Sequence, residues 1–216
     1  MSSIKPIDLH GAHGPNPQKV RLILSDLDLP HTLHEVSFAD VKKPAFTALN
    51  PNGRMPAIHD PNNGLTLWES GAIIEYITDK YDTARKLSFE PFSDEAYLAK
   101  QWLYFQATGQ GPYYGQAIWF TRFHSEKVPS AIDRYSKEIQ RVTSVLEAHL
   151  KTQPKGADGP WLVGGKCSFA DLAFIPWQSY ARDFTDVSEF TEVKGWMERM
   201  QARPGVKKVL EEAAQA

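Results

Sequence analysis

The chain has 216 residues, in which 24 lysines and arginines stand against 26 aspartates and glutamates, so its formal net charge is −2. A chain of this length forms one or two domains with sizeable cores, and it lacks the basic excess that nucleic-acid-binding domains usually carry. Its single cysteine, Cys167, excludes an intrachain disulfide framework, a Cys-X-X-Cys redox pair and a cysteine-rich zinc site.

The sequence carries no sign of a membrane segment or of export. No apolar run reaches the roughly 18 residues that a membrane-spanning helix needs. The stretch from Met1 to Pro6 has neither an apolar signal core nor an arginine-rich transit pattern. We therefore expect a cytoplasmic protein that binds no membrane, no nucleic acid and no metal.

Residues 1–82 alternate between predicted strands and helices. Strands are predicted near 4–9, 31–38, 57–60 and 65–68. Helices are predicted near 17–29, at 44–49 and from Ser70 to about Tyr81, and Asn16 is predicted to be the N-cap of the first. The order β-α-β-α-β-β-α predicts a small α/β sandwich with a mixed sheet.

The remainder of the chain is predicted to be helical throughout. A long segment, 94–124, is interrupted by glycines and a proline at 109–112, and it carries nine aromatic residues where residues 1–67 carry two. Ser130 with Asp133 and Ser168 with Asp171 are predicted capping boxes of two later helices. Residues 83–92 show no periodicity, so we predict domains at 1–82 and 93–216 joined by a linker.

Asn16, at the predicted start of the first helix, has two interpretations. As an N-cap, its side chain would accept a hydrogen bond from the first turn. Alternatively, it serves chemistry, because a helix N-terminus stabilises an anion such as a thiolate and a carboxamide N–H adds one more donor. No Ser, Thr, Tyr or Cys lies between Ile4 and Leu24, so a side-chain hydroxyl is not expected in this role.

The proline after Met55 stands between a turn and a strand. This position suits a cis peptide bond, which would turn the backbone N–H and C=O of Met55 toward a ligand. A trans proline that simply begins the strand is the alternative.

Glu69 and Ser70 lie between an apolar strand and a helix. The hydroxyl and N–H of Ser70 could bind a carboxylate while Glu69 binds the adjacent ammonium, which suits an amino-acid head group. Otherwise Ser70 is an N-cap and Glu69 a solvated neighbour. Lys42, Lys43 and Arg54 are likewise either surface charges or groups that neutralise a ligand carboxylate.

Taken together, these motifs resemble the glutathione transferase family across residues 7 to 210. The stretches that carry the resemblance are Pro15-Asn16 with Lys19-Val20, Asn50-Pro51-Asn52 with Arg54 and Pro56-Ala57, Trp68-Glu69-Ser70-Gly71, Trp161-Leu162-Val163-Gly164, Ala170-Asp171-Leu172-Ala173 and Arg203-Pro204. The branch is the one that contains the fungal nitrogen-catabolite regulators (Ure2p-like proteins) and the bacterial Nu-class enzymes. The resemblance implies a thioredoxin-like N-terminal domain followed by an all-α C-terminal domain.

The resemblance also implies roles for individual residues. Asn16 is similar to the residue that faces the glutathione sulfur, and Met55 to the one whose backbone pairs with the cysteinyl amide. Glu69 and Ser70 resemble the γ-glutamyl clamp. Lys42 and Arg54 occupy positions where the glycyl carboxylate is expected. Arg134 resembles an arginine that reaches glutathione on the other subunit of a homodimer. Ser168 with Asp171 resembles the family's folding cap.

The expected function is therefore transfer of glutathione, as a co-substrate, to a hydrophobic electrophile. Glutathione-dependent disulfide reduction and non-catalytic glutathione binding are the alternatives. We expect residues of the aromatic-rich segment to line a substrate pocket. We also expect at least half of the candidate residues to be packed in the interdomain core instead. These candidates are Tyr113, Tyr114, Trp119, Phe120 and Phe123.

Overall fold

The structure is a computed structural model that describes residues 4–11, 14–156 and 158–215. Its chain divides into two compact units. The first comprises the residues up to Ser88 together with the segment from Gln201, and the second runs from Phe89 to Met200.

The first unit holds a four-stranded mixed sheet in the strand order β2-β1-β3-β4. β1 is parallel to β2 and antiparallel to β3, which is in turn antiparallel to β4. The elements up to residue 81 are β1 (Ile7–His10), α1 (Pro15–Asp26), β2 (His31–His34), α2 (Pro44–Thr47), β3 (Ala57–Asp60), β4 (Leu65–Trp68) and α3 (Ser70–Tyr81). The predicted α/β order is confirmed.

The two faces of this sheet have different surroundings. Ile7 and Leu9 of β1 are fully buried because alternate strand residues point to the face that the long helices cover. Val20 of α1 and Ile73 of α3 are fully buried as well. On the opposite face a smaller apolar cluster forms around Phe46 of α2.

The second unit is helical, as predicted. Its elements are α4 (Asp94–Phe105), a π-helical turn (Gln106–Gln110), α5 (Gly111–Ile118), a second π-helical turn (Trp119–Phe123), α6 (Pro129–Thr152), α7 (Phe169–Gln178), a 3₁₀ turn (Ala181–Asp183) and α8 (Thr191–Gln201). The predicted interruption at 109–112 does not end the run of helical turns, because the π-helical turn leads directly into α5. The π-helical turn shifts the hydrogen-bond pattern so that Pro112 falls in the first turn of α5, where its missing N–H costs little.

The last helix, α9 (Pro204–Gln215), belongs to the first unit and not to the predicted domain 93–216. The Arg203 guanidinium donates to both oxygens of the buried Asp26 carboxylate, at 3.0 and 2.7 Å. The Ser25 hydroxyl donates to the Gly205 carbonyl at 3.0 Å. These contacts join residues about 180 positions apart, so no local pattern predicts them.

Two predicted helix caps are wrong for one physical reason. α1 begins at Pro15 with Gly14 as N-cap, and α6 begins at Pro129 with Val128 as N-cap. Asn16 and Ser130 therefore lie inside the first turn. Proline is favoured at the first helical position because its fixed φ suits the helix and its missing N–H has no intrahelical acceptor there.

The predicted cap formed by Ser168 and Asp171 is confirmed as a capping box at the start of α7. The Asp171 carboxylate is fully buried and accepts four hydrogen bonds: from the N–H and hydroxyl of Ser168, both at 2.8 Å, and from the Leu162 N–H and Trp196 indole N–H, both at 2.9 Å. Burial raises the pKa of Asp171, and these bonds oppose that rise. One side chain thus joins the start of α7, the preceding loop and α8.

Within the described ranges, no helix is long and apolar enough to cross a membrane.

Replacing Asp171 should destabilise the protein strongly. Asp171→Ala would leave four buried donors without an acceptor, which predicts a loss of about 3 kcal/mol or more in the free energy of unfolding. Asp133→Ala, which removes an exposed carboxylate paired with Lys137, should change it by less than about 0.5 kcal/mol. Urea denaturation measures both, and equal effects of the two substitutions would contradict the role given to Asp171.

Candidate functional site

The pairing register brings three segments to one edge of the sheet. His10 pairs with Ala57, and Ala57 pairs with Trp68. Because β1 and β4 both run antiparallel to β3, the chain leaves the sheet after His10 and Trp68 at the same edge where it enters before Ala57. The segments containing Asn16, Met55 and Glu69 are therefore neighbours at this edge.

Asn16 lies in the first turn of α1 and is partly buried. Pro15 and Pro17, on either side of it, have no backbone N–H. The Gln18 N–H donates to the Gly14 carbonyl at 3.2 Å. Within this turn Asn16 therefore carries a backbone N–H, which Pro15 and Pro17 lack, together with a side-chain carboxamide. Because two of the backbone N–H groups found at an ordinary helix N-terminus are missing here, the carboxamide of Asn16 is a larger share of the hydrogen-bond donors in this turn.

Lys19, one turn further along α1, was not identified as a candidate from the sequence. Its side chain is 2% exposed. Burial lowers the pKa of Lys19 to about 7, and the negative charge of Glu69 opposes that shift. The sequence signal was a lysine beside Val20 in the apolar face of a helix, which is a position that charged residues seldom occupy.

Met55 lies against the end of β1. The Met55–Pro56 peptide bond is cis, as predicted. Gly11 follows β1 with a φ of +97°, and a Cβ atom added to it would lie 2.6 Å from Met55 Cγ. Glycine at this position therefore lets the end of β1 approach Met55, and a larger residue would have to displace the methionine side chain.

The turn before Met55 is held by Asn50, whose side-chain oxygen accepts the Asn52 N–H at 2.9 Å and whose side-chain nitrogen donates to the Arg54 carbonyl. Lys42 donates from Nζ to the Asn52 carbonyl at 2.8 Å. Lys42 and Arg54 are both exposed and lie beside the same turn. Lys43 instead pairs with Asp40, so the structure favours Lys42 over Lys43 as a ligand-binding cation.

Glu69 and Ser70 form the start of α3. Glu69 is exposed and has a φ of +69°, a conformation that costs a residue other than glycine about 1–3 kcal/mol. Its carbonyl still accepts the Ile73 N–H at 2.9 Å, so it begins the helix. Ser70 is the first helical residue and is buried. Backbone strain of this kind concentrates at functional sites.

The aromatic candidates of the second unit separate into buried and exposed residues. Tyr114 is fully buried, and its hydroxyl lies 3.1 Å from both the Thr143 hydroxyl and the Gln178 side-chain oxygen. Burial raises the pKa of Tyr114 to about 12. It is a core residue, which corrects its expected place in a pocket. Trp119 and Phe123 are 49% and 66% exposed.

The other three functional candidates of this unit lie at or near its surface. The rings of Tyr113 and Phe120 are partly buried, and each contacts the ring of Tyr135. Arg134 is exposed on α6. An exposed arginine on a helix agrees equally with a solvated surface and with a residue that reaches a partner.

The only thiol of the chain, Cys167, is buried in the second unit. Among the residues that the structure describes, no group of three or more His, Cys, Asp or Glu side chains is placed to hold a metal ion. Thiol chemistry at the sheet edge of the first unit would therefore need a thiol supplied by a co-substrate.

Comparison with known proteins agrees with this description. Residues 13–80 match the N-terminal domain of glutathione S-transferases, and residues 112–204 match their C-terminal domain. A glutathione S-transferase-like protein, tpcF, of Aspergillus fumigatus is 59% identical, with 96% of each chain covered. Glutathione S-transferase 1 of Schizosaccharomyces pombe is 43% identical, with 95% of each chain covered.

Among solved structures, the glutathione transferase URE2P6 of Phanerochaete chrysosporium, crystallised with oxidized glutathione, superposes with a TM-score of 0.91. It is 44% identical, and the match covers 98% of this chain and 97% of that one. The Ure2p-like part of the resemblance is thereby confirmed, while the Nu-class part stays a prediction. The chain belongs to the glutathione S-transferase family.

Proposed function

We propose that the first unit binds glutathione at the sheet edge and that the protein transfers the glutathione thiolate to a hydrophobic electrophile. The observation that carries this proposal is the strand register, which gathers the segments of Asn16, Met55 and Glu69 at one edge. Membership of the glutathione S-transferase family and the oxidized glutathione bound by the Phanerochaete relative support it.

In the proposed complex, the start of α3 holds the γ-glutamyl group. The Ser70 hydroxyl and N–H donate to its carboxylate at the positive end of the helix, and Glu69 pairs with its ammonium. The backbone of Met55 pairs with the cysteinyl amide. Lys42 and Arg54 neutralise the glycyl carboxylate. Each of these polar groups of glutathione thus meets a group of opposite charge or complementary hydrogen-bonding character.

Asn16 is proposed to hold the sulfur. A thiol with a pKa of about 8.5 is only a few per cent ionised at pH 7, and lowering that pKa by about two units requires roughly 2.7 kcal/mol. The backbone N–H and carboxamide of Asn16 are two donors to an anion at a helix start, and charge-assisted bonds of this kind supply such an energy. The thiolate then attacks the electrophilic carbon, and the leaving group departs with the bonding electrons.

Trp119 and Phe123 of the second unit are proposed to offer a hydrophobic ligand an apolar surface. Their exposed fractions, 49% and 66%, are large for aromatic side chains. Apolar surface of this kind favours a hydrophobic substrate over a charged one.

Glutathione-dependent disulfide reduction is the second candidate, favoured by the disulfide ligand that the Phanerochaete relative holds. In the first step the glutathione thiolate attacks one sulfur of the substrate disulfide, which forms a mixed disulfide and releases the other sulfur as a thiolate. A second glutathione thiolate then attacks the glutathione sulfur of the mixed disulfide. This step forms oxidized glutathione and releases the remaining substrate thiolate.

One set of parallel assays distinguishes the candidates. Conjugation to 1-chloro-2,4-dinitrobenzene, reduction of hydroxyethyl disulfide and calorimetric affinity for glutathione are measured on one preparation. We expect binding together with conjugation as the faster activity, because the exposed aromatic surface suits an aryl substrate. Faster disulfide reduction would favour the second candidate, binding without either activity would favour a regulatory protein, and absence of binding would overturn the proposal.

Removing the Asn16 carboxamide should slow the faster of the two reactions. Asn16→Ala is expected to lower kcat/KM at least about tenfold, since roughly 1.4 kcal/mol is a modest share for one bond to a thiolate. The matched control is Gln18→Ala, which removes a carboxamide from the same helix and should leave the rate within about twofold. An unchanged rate in Asn16→Ala would assign the thiolate to backbone N–H groups.

We propose a homodimer in which Arg134 reaches glutathione bound by the partner subunit. Light scattering is expected to give twice the chain mass, and Arg134→Ala should raise the KM for glutathione several-fold more than it lowers kcat. Arg141→Ala is the control, because Arg141 is also exposed on α6 and pairs with Glu138 on that helix. A monomeric mass, or equal KM values in the two variants, would refute this role.

A further inference from the structure

Lys19 is a buried charge that the proposed mechanism does not use. It is the one lysine among the described residues that is buried, with 2% of its surface exposed. Removing an ammonium from water costs several kcal/mol unless a negative charge compensates it. A protein gains no stability from such a residue by packing alone, since an apolar side chain would fill the same space at lower cost.

The position of Lys19 points toward the glutathione site. It lies three residues after Asn16, so the two side chains are neighbours on the surface of α1. α1 packs against α3, the helix that begins immediately after Glu69. The carboxylate of Glu69 acts on Lys19 in the direction that favours the charged ammonium.

Several other acidic groups on α1 and on the elements packed against it are paired with cations, among them Glu211 of α9 with Lys207. Asp26 at the end of α1 is held by Arg203, Glu212 of α9 pairs with Arg21, and Asp8 of β1 pairs with His34. The acidic groups of α3 itself are Glu75, one carboxylate oxygen of which is buried without a hydrogen-bond partner, and Asp79. Glu69 is the acidic group whose charge acts on Lys19.

We propose that Lys19 is a positioning residue of the glutathione site, in which its buried ammonium compensates the negative charge that Glu69 and the bound ligand bring together. This inference rests on the proposed function. An S-substituted glutathione carries two carboxylates and one ammonium, and Glu69 adds a further negative charge. Lys19 acts on them from an environment where charges are weakly screened.

Proton linkage follows from the position of Lys19. Burial lowers its pKa to about 7, so the free protein at neutral pH contains both protonated and neutral Lys19. An anionic ligand favours the protonated form and raises this pKa. Binding at pH 7 therefore takes up a fraction of a proton, and affinity weakens as pH rises above 7.

Stability should depend on the same group with a defined sign. In the unfolded chain a lysine stays protonated up to a pKa of about 10.4, whereas in the folded chain Lys19 loses its proton near pH 7. Between these values the unfolded state binds more protons, so Lys19 makes the free energy of unfolding rise with pH. Lys19→Met removes this dependence and should stabilise the protein at pH 7 and below. A residue that weakens folding while strengthening binding is retained for function.

The test measures binding of S-hexylglutathione, which has no ionisable thiol, by calorimetry at pH 7 in two buffers of different ionisation enthalpy. The wild-type protein should take up a fraction of a proton. Lys19→Met should bind about tenfold more weakly without this uptake. Lys19→Arg should bind more tightly than Lys19→Met and also without uptake, because a guanidinium stays protonated. Any proton that the amine of the ligand itself gains or loses on binding is the same for all three proteins, so it cancels when their proton uptakes are compared.

Arg21→Met is the matched control, because it removes a cation from the same helix that pairs with α9. It should keep the wild-type proton uptake. Wild-type binding with no more uptake than Lys19→Met would overturn the inference and leave the proposed function standing, whereas no wild-type binding would overturn the proposed function itself. If Lys19→Met fails to fold, Lys19→Arg decides, since wild-type uptake in that variant would overturn the inference.

Discussion

The candidate site depends on the pairing register of three strands. With His10 opposite Ala57 and Ala57 opposite Trp68, one edge of the sheet receives the start of α1, the residue before a cis-proline and the start of α3. A slip of one residue would turn every side chain of a strand to the opposite face. It would turn Ile58, which the register buries completely, away from the face that the long helices cover. Burial of the core therefore fixes the register, and the register fixes the site.

A second constraint is electrostatic. The first unit contains no thiol, and the start of α1 has no side-chain hydroxyl. Pro15 and Pro17 in its first turn have no backbone N–H. Asn16 supplies a backbone N–H and a carboxamide in that turn, and the buried Lys19 is a charged residue three positions further along the same helix. Lys19 carries the cost of desolvation, and Glu69 the cost of a positive φ. Such local costs are typical of sites selected for binding rather than for stability.

The sequence was informative where structure depends on local chemistry and uninformative where it depends on distant contacts. Alternation predicted the element order of the first unit, and the Ser168–Asp171 cap needed only residues three apart. The first-turn position of Asn16 was missed because Pro15 is itself a good helix start. Burial of Lys19 depends on the elements that pack against α1, and the placement of α9 depends on Arg203 pairing with Asp26. Hydrophobic periodicity contains no information about contacts of that range.

The most direct test of the central claim is a crystal structure of the chain with glutathione. The account predicts the γ-glutamyl carboxylate at the Ser70 hydroxyl and N–H, the ammonium at Glu69, and the sulfur within about 3.5 Å of an Asn16 donor. A glutathione molecule bound elsewhere would contradict the proposed site. A molecule held by Glu69 and Ser70 but with its sulfur directed away from α1 would contradict the role of Asn16.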